Sequence, residues 1–317
     1  MSQHIVVFGY GAVGQTAVDM ALKQGHSVTL SQRSAPTMLP LDTRFAPCDV
    51  LDREAVIRAA DGANQIIVAV GFRYEGNTWR ACWPRAMANL IEASATHGAR
   101  MIFIDNMYMD GPQSQPLKES MPLSNFGVKP AVRSEVTRLW MAAADAGRAR
   151  ITALRAPDFY GPGVGLSPIG DVGFGAVANG RTATLIVQPE IPHAFAYVPD
   201  IGRAVGTLLM APDDAFGQAW HVPCAPTLTP QRILEIGAVA IGQKAKIRRV
   251  PLWMLPAAGL VSGFMREVAE MRFTFDRPYK VDSRKFAARF WGDATPFEAG
   301  ATETARSFMQ SAAMRAA

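Results

Sequence analysis

The chain has 317 residues, 49% hydrophobic and 19% charged, a balance that excludes intrinsic disorder and supplies a sizeable core. Its 32 basic and 27 acidic residues leave a net charge of +5 with no basic run, so no nucleic-acid partner is expected, and a pocket for an anionic cofactor accounts for the excess equally well. Cys48, Cys82 and Cys224 stand too far apart for a zinc site, and their odd number suits neither a disulfide framework nor secretion, which predicts a cytoplasmic protein without a structural metal.

The first apolar run, Ile5 to Phe8, reads as a strand, and no signal segment is expected ahead of it. Further strands are predicted at Ser27 to Leu30, Gln65 to Val70, Arg100 to Ile104 and Ile151 to Arg155. Between them Val13 to Gln24, Asp52 to Ala60, Trp83 to His97 and Val132 to Ala146 carry helical periodicity, and Gly25, Gly62, Gly98 and Gly147 stand where helices end. Strands alternating with helices predict an α/β fold, a Rossmann-type doubly wound parallel sheet.

From about residue 156 the pattern loosens. Helices are predicted at Pro199 to Met210, Thr229 to Ile241 and Met265 to Phe273, and the stretch from Tyr160 to Gly175 reads as a long loop. The apolar run from Val250 to Met265 is interrupted by Pro251 and Pro256 and is shorter than the roughly 18 residues of a membrane span, so no membrane partner is expected. The expected organisation is a nucleotide-binding domain over 1–160 and a smaller C-terminal substrate lobe over 161–317, part of whose chain returns to the sheet.

Gly9-Tyr10-Gly11-Ala12-Val13-Gly14 is a G-x-G-x-x-G between the first strand and the first helix. There the turn must be tight and the backbone must approach a pyrophosphate at the helix N-terminus, so Gly9, Gly11, Ala12, Val13 and Gly14 are candidate dinucleotide ligands. The position that holds the ribose-binding acid of NAD enzymes is Ser31, followed by Gln32 and Arg33. With no carboxylate to repel a 2′-phosphate and a guanidinium able to grip one, NADP(H) is favoured over NAD(H).

Further segments carry a resemblance. They are Cys48-Asp49-Val50-Leu51-Asp52, Val68-Ala69-Val70-Gly71, Asp105-Asn106-Met107-Tyr108-Met109-Asp110-Gly111-Pro112, Leu154 to Pro162, and Tyr197-Val198-Pro199-Asp200-Ile201-Gly202-Arg203-Ala204. In order and spacing the chain resembles the extended or atypical branch of the short-chain dehydrogenase/reductase superfamily, the NAD-dependent epimerase/dehydratase group. The resemblance implies that Asp49 and Val50 border an adenine, that Gly71 lines the cofactor cleft and that Pro157 lies near the nicotinamide. Asn89 matches a recurrent asparagine of the helix that carries it, and relatives commonly dimerise through the helices of Trp83 to His97 and Val132 to Ala146. From the residues alone, Asp49 can equally cap a helix and Pro157 can simply end a strand.

The resemblance also implies a catalytic Ser or Thr, a Tyr, and a Lys four residues after it, and here all three are replaced. Asn106 takes the place of the Ser or Thr, and an amide can still donate a hydrogen bond to a carbonyl oxygen. The Tyr-x-x-x-Lys position holds Lys129-Pro130-Ala131-Val132-Arg133. Lys129 is a candidate proton donor or a cofactor or surface lysine, and Arg133 is expected on the cofactor ribose, since a guanidinium has no proton to give near neutrality. Tyr108 is a second candidate donor and Tyr160 a third. His193 is the one histidine placed to meet a substrate. Asp105 and Asp158 flank these positions.

Met107, Met109, Met254, Met265 and Met271, with Trp79, Trp83 and Trp253, suggest an adaptable apolar substrate pocket. The expected activity is therefore an NADP(H)-dependent oxidoreductase acting on a small, lipophilic carbonyl or hydroxyl compound. The alternatives are a nucleotide-sugar epimerase or dehydratase that recycles NAD, a non-catalytic NADP(H)-binding redox sensor, and a partner-binding subunit.

Overall fold

A computed structural model describes residues 2–316. Its first ten regular elements are β1 (His4–Phe8), α1 (Ala12–Lys23), β2 (Ser27–Gln32), β3 (Thr43–Pro47), α2 (Arg53–Ala59), β4 (Gln65–Val68), α3 (Gly76–His97), β5 (Arg100–Asp105), α4 (Lys129–Asp145) and β6 (Ile151–Arg155). There follow β7 (Phe159–Tyr160), α5 (Ala176–Ala178), β8 (Ala183–Leu185), β9 (Ala196–Tyr197), α6 (Val198–Met210) and β10 (Ala219–His221). The chain ends with α7 (Pro230–Ala240), β11 (Ile247–Arg249), α8 (Leu255–Val261), α9 (Gly263–Glu270), α10 (Arg284–Arg289) and α11 (Phe297–Ala316).

Seven strands make one sheet in the order β10-β6-β5-β4-β1-β2-β3. The six from β3 to β6 run parallel, as the alternation of strands and helices requires. Their register is nearly flush at the carboxyl ends, with Phe8 opposite both Ser31 and Val68, and Val68 opposite Phe103. The loops after β1, β2, β4 and β5 therefore all leave one edge of the sheet, where ligands of open α/β sheets bind.

The chain divides into two compact units. The first comprises Met1–Gly111, Pro122–Arg155 and Ile201–Trp220, and the second Pro112–Met121, Ala156–Asp200 and His221–Ala317. In the first unit Val6, Phe8, Ile66, Val68, Met101 and Phe103 of the sheet pack with Trp83, Met87 and Leu90 of α3 and Val132, Val136 and Trp140 of α4. Each such large side chain contributes roughly 1.5–3 kcal/mol on burial. In the second unit Tyr160, Phe174, Phe195, Ile233, Leu234, Phe297, Ala301 and Phe308 form a separate core.

Helices α8, α10 and α11 were not predicted, the helix expected over Met265 to Phe273 is α9, and α4 begins at Lys129, ahead of Val132; three other departures have a clear physical reason. Helix α3 starts at Gly76, ahead of Trp83, and runs through Pro84. Trp79 and Trp83, one turn apart, both bury their rings, which draws the first two turns onto the sheet, whereas Pro84 forfeits only the bond to the carbonyl of the exposed Arg80. The edge strand β3 is only half-buried and lacks an apolar run to announce it. The segment from Tyr160 to Gly175 is not purely loop, since it enters from β7 and ends in a π-helical stretch, Gly170–Gly175, whose Phe174 is buried.

Candidate functional site

The glycine turn separates two roles that the motif alone merges. Gly9 has φ +96°, and a Cβ there would fall 2.5 Å from the Ala69 carbonyl oxygen; a Cβ at Gly14 would fall 2.2 Å from the Gly9 carbonyl oxygen. Both glycines are demanded by the protein's own packing. Gly11 is different: its φ is −72°, ordinary for any residue, and a Cβ would meet nothing within 4 Å. It is exposed and is the N-cap of α1, where no side chain caps the first helical N–H groups. An open, glycine-lined helix start with uncapped donors fits a dinucleotide's pyrophosphate. Ala12 and Val13, half-buried, form the first turn of α1.

At the ends of β2 and β3 the candidates part company. Ser31 is wholly buried and its carbonyl accepts the Gly9 N–H at 2.9 Å, so it buttresses the glycine turn. Its hydroxyl, sealed from solvent beside the Cys48 thiol, is not presented to a ribose, which corrects the expectation of a direct cofactor contact. Arg33, two residues on, is exposed. Asp49 is exposed and its carboxylate accepts the Leu51 N–H at 3.0 Å, while the cap of α2 is Asp52, which accepts from the Ala55 N–H. Asn89 donates from Nδ2 to the Val50 carbonyl at 2.9 Å, pinning this loop to α3. Gly71 is exposed with open space where a Cβ would stand.

After β5 the chain turns through Asn106 and Tyr108. The Asn106 N–H donates to the Asp105 carboxylate at 2.8 Å, and Asn106 Oδ1 accepts the Tyr108 N–H at 3.0 Å. Because Oδ1 is engaged by a backbone donor, the amide's orientation is fixed and its Nδ2 donors are turned elsewhere. Tyr108 is half-buried, its ring stacked on Trp79 at 5.9 Å between centroids, and the Tyr74 hydroxyl donates to its phenol at 3.5 Å.

The two basic residues at the start of α4 share a face, as their spacing predicts, and both point into the unit. Lys129 is 0% exposed, its ammonium 4.8 Å from the Tyr74 ring centroid. A surface lysine is thereby excluded, and a direct proton transfer from it would require the site to open. Arg133, 5% exposed, lies 3.7 Å over the Trp83 ring, 5.0 Å from that of Trp79, and 3.1 Å from the Asp105 carboxylate. Its expected place on a cofactor ribose is corrected: the guanidinium is held by an anion and two indoles inside the unit. Burial pushes the Asp105 carboxyl up and the Arg133 guanidinium down, each shift opposed by the other's charge, with Arg155 also favouring the carboxylate.

The predicted apolar pocket is likewise reassigned. Met107, Met109, Met271, Trp79 and Trp83 are buried core, Met265 is half-buried, and Met254 and Trp253 are exposed. Tyr74 was not singled out by sequence, since one tyrosine in a loop carries no periodicity.

The remaining candidates belong to the second unit. Pro157 is buried directly after β6. Tyr160, 1% exposed, packs among Phe174, Phe195, Tyr197 and Phe297, and burial raises its phenol far above the ordinary tyrosine range. It is a core residue, which corrects its expected role at a substrate. His193, equally buried, is bonded through Nε2 to Asp158 at 2.9 Å, stacked on Tyr279 and packed against the tilted ring of Phe195. It is a partnered core histidine and offers no open surface to a substrate.

Residues 9–138 match the family model described as NAD(P)H-binding. No curated protein matches the sequence. Among solved structures, a UDP-glucose 4-epimerase of Thermus thermophilus in complex with NAD superposes with a TM-score of 0.75 at 18% identity, covering 96% of this chain and 98% of that one. A UDP-glucuronic acid 4-epimerase of Bacillus cereus, complexed with UDP-glucuronic acid and NAD, gives 0.78 at 13% identity, covering 97% and 99%. A dTDP-glucose 4,6-dehydratase of Bacillus anthracis with NAD gives 0.77 at 14% identity, covering 98% and 97%. Residues 9–138 thus correspond to an NAD(P)H-binding domain, and the chain shares, along nearly its whole length, the fold of these epimerases and this dehydratase.

Proposed function

We propose that the protein is an oxidoreductase that uses NADP(H) in preference to NAD(H) and interconverts a small carbonyl compound and its alcohol. The observation that carries this reading is the Asn106–Tyr108 turn at the carboxyl edge of the sheet, which sets an oriented amide donor two residues from a clamped phenol. When bound, the nicotinamide supplies or accepts the hydride. Gly11 and the first turn of α1 hold the pyrophosphate, and Arg33 pairs with the 2′-phosphate. Asn106 Nδ2 donates to the substrate oxygen and polarises it. Tyr108 gives the proton to that oxygen in reduction and takes it back in oxidation. Lys129, Asp105 and Arg133 support the turn from beneath.

The tests follow the parts. Purified protein should oxidise NADPH with members of a broad aldehyde and ketone panel, and Tyr108→Phe and Asn106→Ala should each lower kcat at least tenfold with cofactor affinity retained. Arg33→Ala should weaken NADPH binding about tenfold and leave NADH binding unchanged. Absence of any turnover across the panel with either cofactor sinks the reading. The second reading, a nucleotide-sugar epimerase or dehydratase that recycles its cofactor, draws support from the proteins that share the fold. It predicts instead NAD retained through purification and no net consumption of cofactor.

A further inference from the structure

The run from Val250 to Met265 is too short to cross a bilayer, yet it is not core. Around the single 3-10 turn Leu252–Met254 and helices α8 and α9, the inner face packs Leu252, Leu255 and Val268 against Ile186, Met265, Ala269 and Phe275. The outer face exposes Trp253 by 76%, Leu260 by 87%, Val261 by 89% and Phe264 by 57%. Trp253 and Leu260 are seven residues apart, two helical turns along one stripe, and Val261 and Phe264 carry the apolar surface across the break into α9. No charge interrupts these 16 residues. The flanks are predominantly basic: Lys244, Lys246, Arg248 and Arg249 before it and Arg266 after it are all exposed, against the half-buried Glu267 and Glu270 at the end of α9.

We propose that this patch docks the protein on an anionic lipid surface, α8 and α9 lying in the headgroup region without crossing it. The physical case is the pairing of two features. Aliphatic and aromatic side chains on a helical surface are the elements that enter the acyl boundary, and a flanking set of cations is drawn by acidic headgroups. Trp253 stands at the junction between the basic strand β11 and the apolar helices, the position an interfacial indole favours. Self-association through the same patch is opposed by net charge, since a two-fold interface would set five exposed cations of each copy against five of the other, with only the half-buried Glu267 and Glu270 to offset them. This inference is independent of the oxidoreductase reading and concerns docking on a membrane surface, which no helix among the described residues is long and apolar enough to cross.

The test is co-sedimentation of the full chain with vesicles of phosphatidylcholine alone and of phosphatidylcholine with phosphatidylglycerol. Binding to the anionic vesicles, weakened by salt and at least tenfold weaker on neutral ones, is expected. Leu260→Gln/Phe264→Gln should reduce that binding at least tenfold, and Arg248→Gln/Arg249→Gln should reduce it by roughly fivefold per charge removed. Unchanged thermal melting of both variants keeps the comparison clean, as all four side chains are exposed. Failure of the wild-type chain to sediment with either vesicle overturns the proposal. So does a wild-type dimer that the Leu260→Gln/Phe264→Gln variant dissolves while vesicle binding stays absent, which would make the patch an interface between copies.

Discussion

Replacing Asp105 by Asn removes one charge from the sealed pair beneath the Asn106–Tyr108 turn and changes little else. The Asn side chain keeps the volume, and its Oδ1 still accepts the Asn106 N–H that Asp105 holds at 2.8 Å. What is lost is the anion 3.1 Å from Arg133, whose side chain is 6% exposed. A guanidinium left uncompensated in such a place costs about 3–5 kcal/mol. The Trp83 face recovers part of this, about 2 kcal/mol at most for a desolvated cation over an indole. A destabilisation of about 3 kcal/mol is a large share of the roughly 5–15 kcal/mol that holds a domain folded. At 2–4 °C for each kcal/mol, it corresponds to a Tm lower by about 6–12 °C. Urea denaturation of the wild type, Asp105→Asn, Arg133→Met and the double variant measures it. The double variant, with both charges gone, should lie nearer the wild type than the sum of the singles by at least about 1.5 kcal/mol. Additive effects, or an Asp105→Asn variant within about 1 kcal/mol of the wild type, would refute the claim that the two charges depend on each other.

Three further outcomes follow from the geometry. Gly11→Ala should leave urea stability within about 0.5 kcal/mol of the wild type and weaken dinucleotide binding at least tenfold by titration calorimetry. Gly14→Ala should instead destabilise the fold itself, because its methyl overlaps the Gly9 carbonyl. Burial raises the Cys48 thiol to about 11, so between pH 9 and 11 the unfolded chain ionises while the folded chain does not. Stability should fall as pH rises through that window, and Cys48→Ala should flatten the fall in denaturant midpoints. Iodoacetamide at pH 8 should alkylate Cys82 well before Cys48, as peptide mass mapping would read; equal rates would contradict the burial of Cys48.

Periodicity made the sheet legible because both faces are covered, so that strands such as Ile5 to Phe8 are continuous apolar runs. The glycine motif located the helix start, but residue type alone could not divide its glycines into those the backbone needs and the one that leaves space. For Asn106, Lys129 and Arg133, the positions at which the resemblance implies a catalytic set, residue type carried no information about orientation. Lys129 and Arg133 share a helical face by spacing, yet which way that face turns was decided by Trp79 and Trp83 on α3 and by Asp105, partners of Arg133 28 to 54 residues away along the chain. Tyr160 and His193 were drawn toward a substrate by their chemistry. Aromatic packing in one case and Asp158 in the other claimed them for the core.

The sheet-bearing unit is assembled from three separate lengths of chain, the last of them Ile201–Trp220. On the ribosome, β6 has emerged and its edge can be covered only after more than sixty further residues have been made, when β10 arrives. Until then β6, buried along its whole length in the finished protein, offers unpaired backbone to any neighbouring nascent chain. A gene cut at residue 160 would make that interval permanent, leaving the β6 edge of such an N-terminal fragment uncovered. Splicing 201–221 back onto the shortened chain would return β10 to that edge.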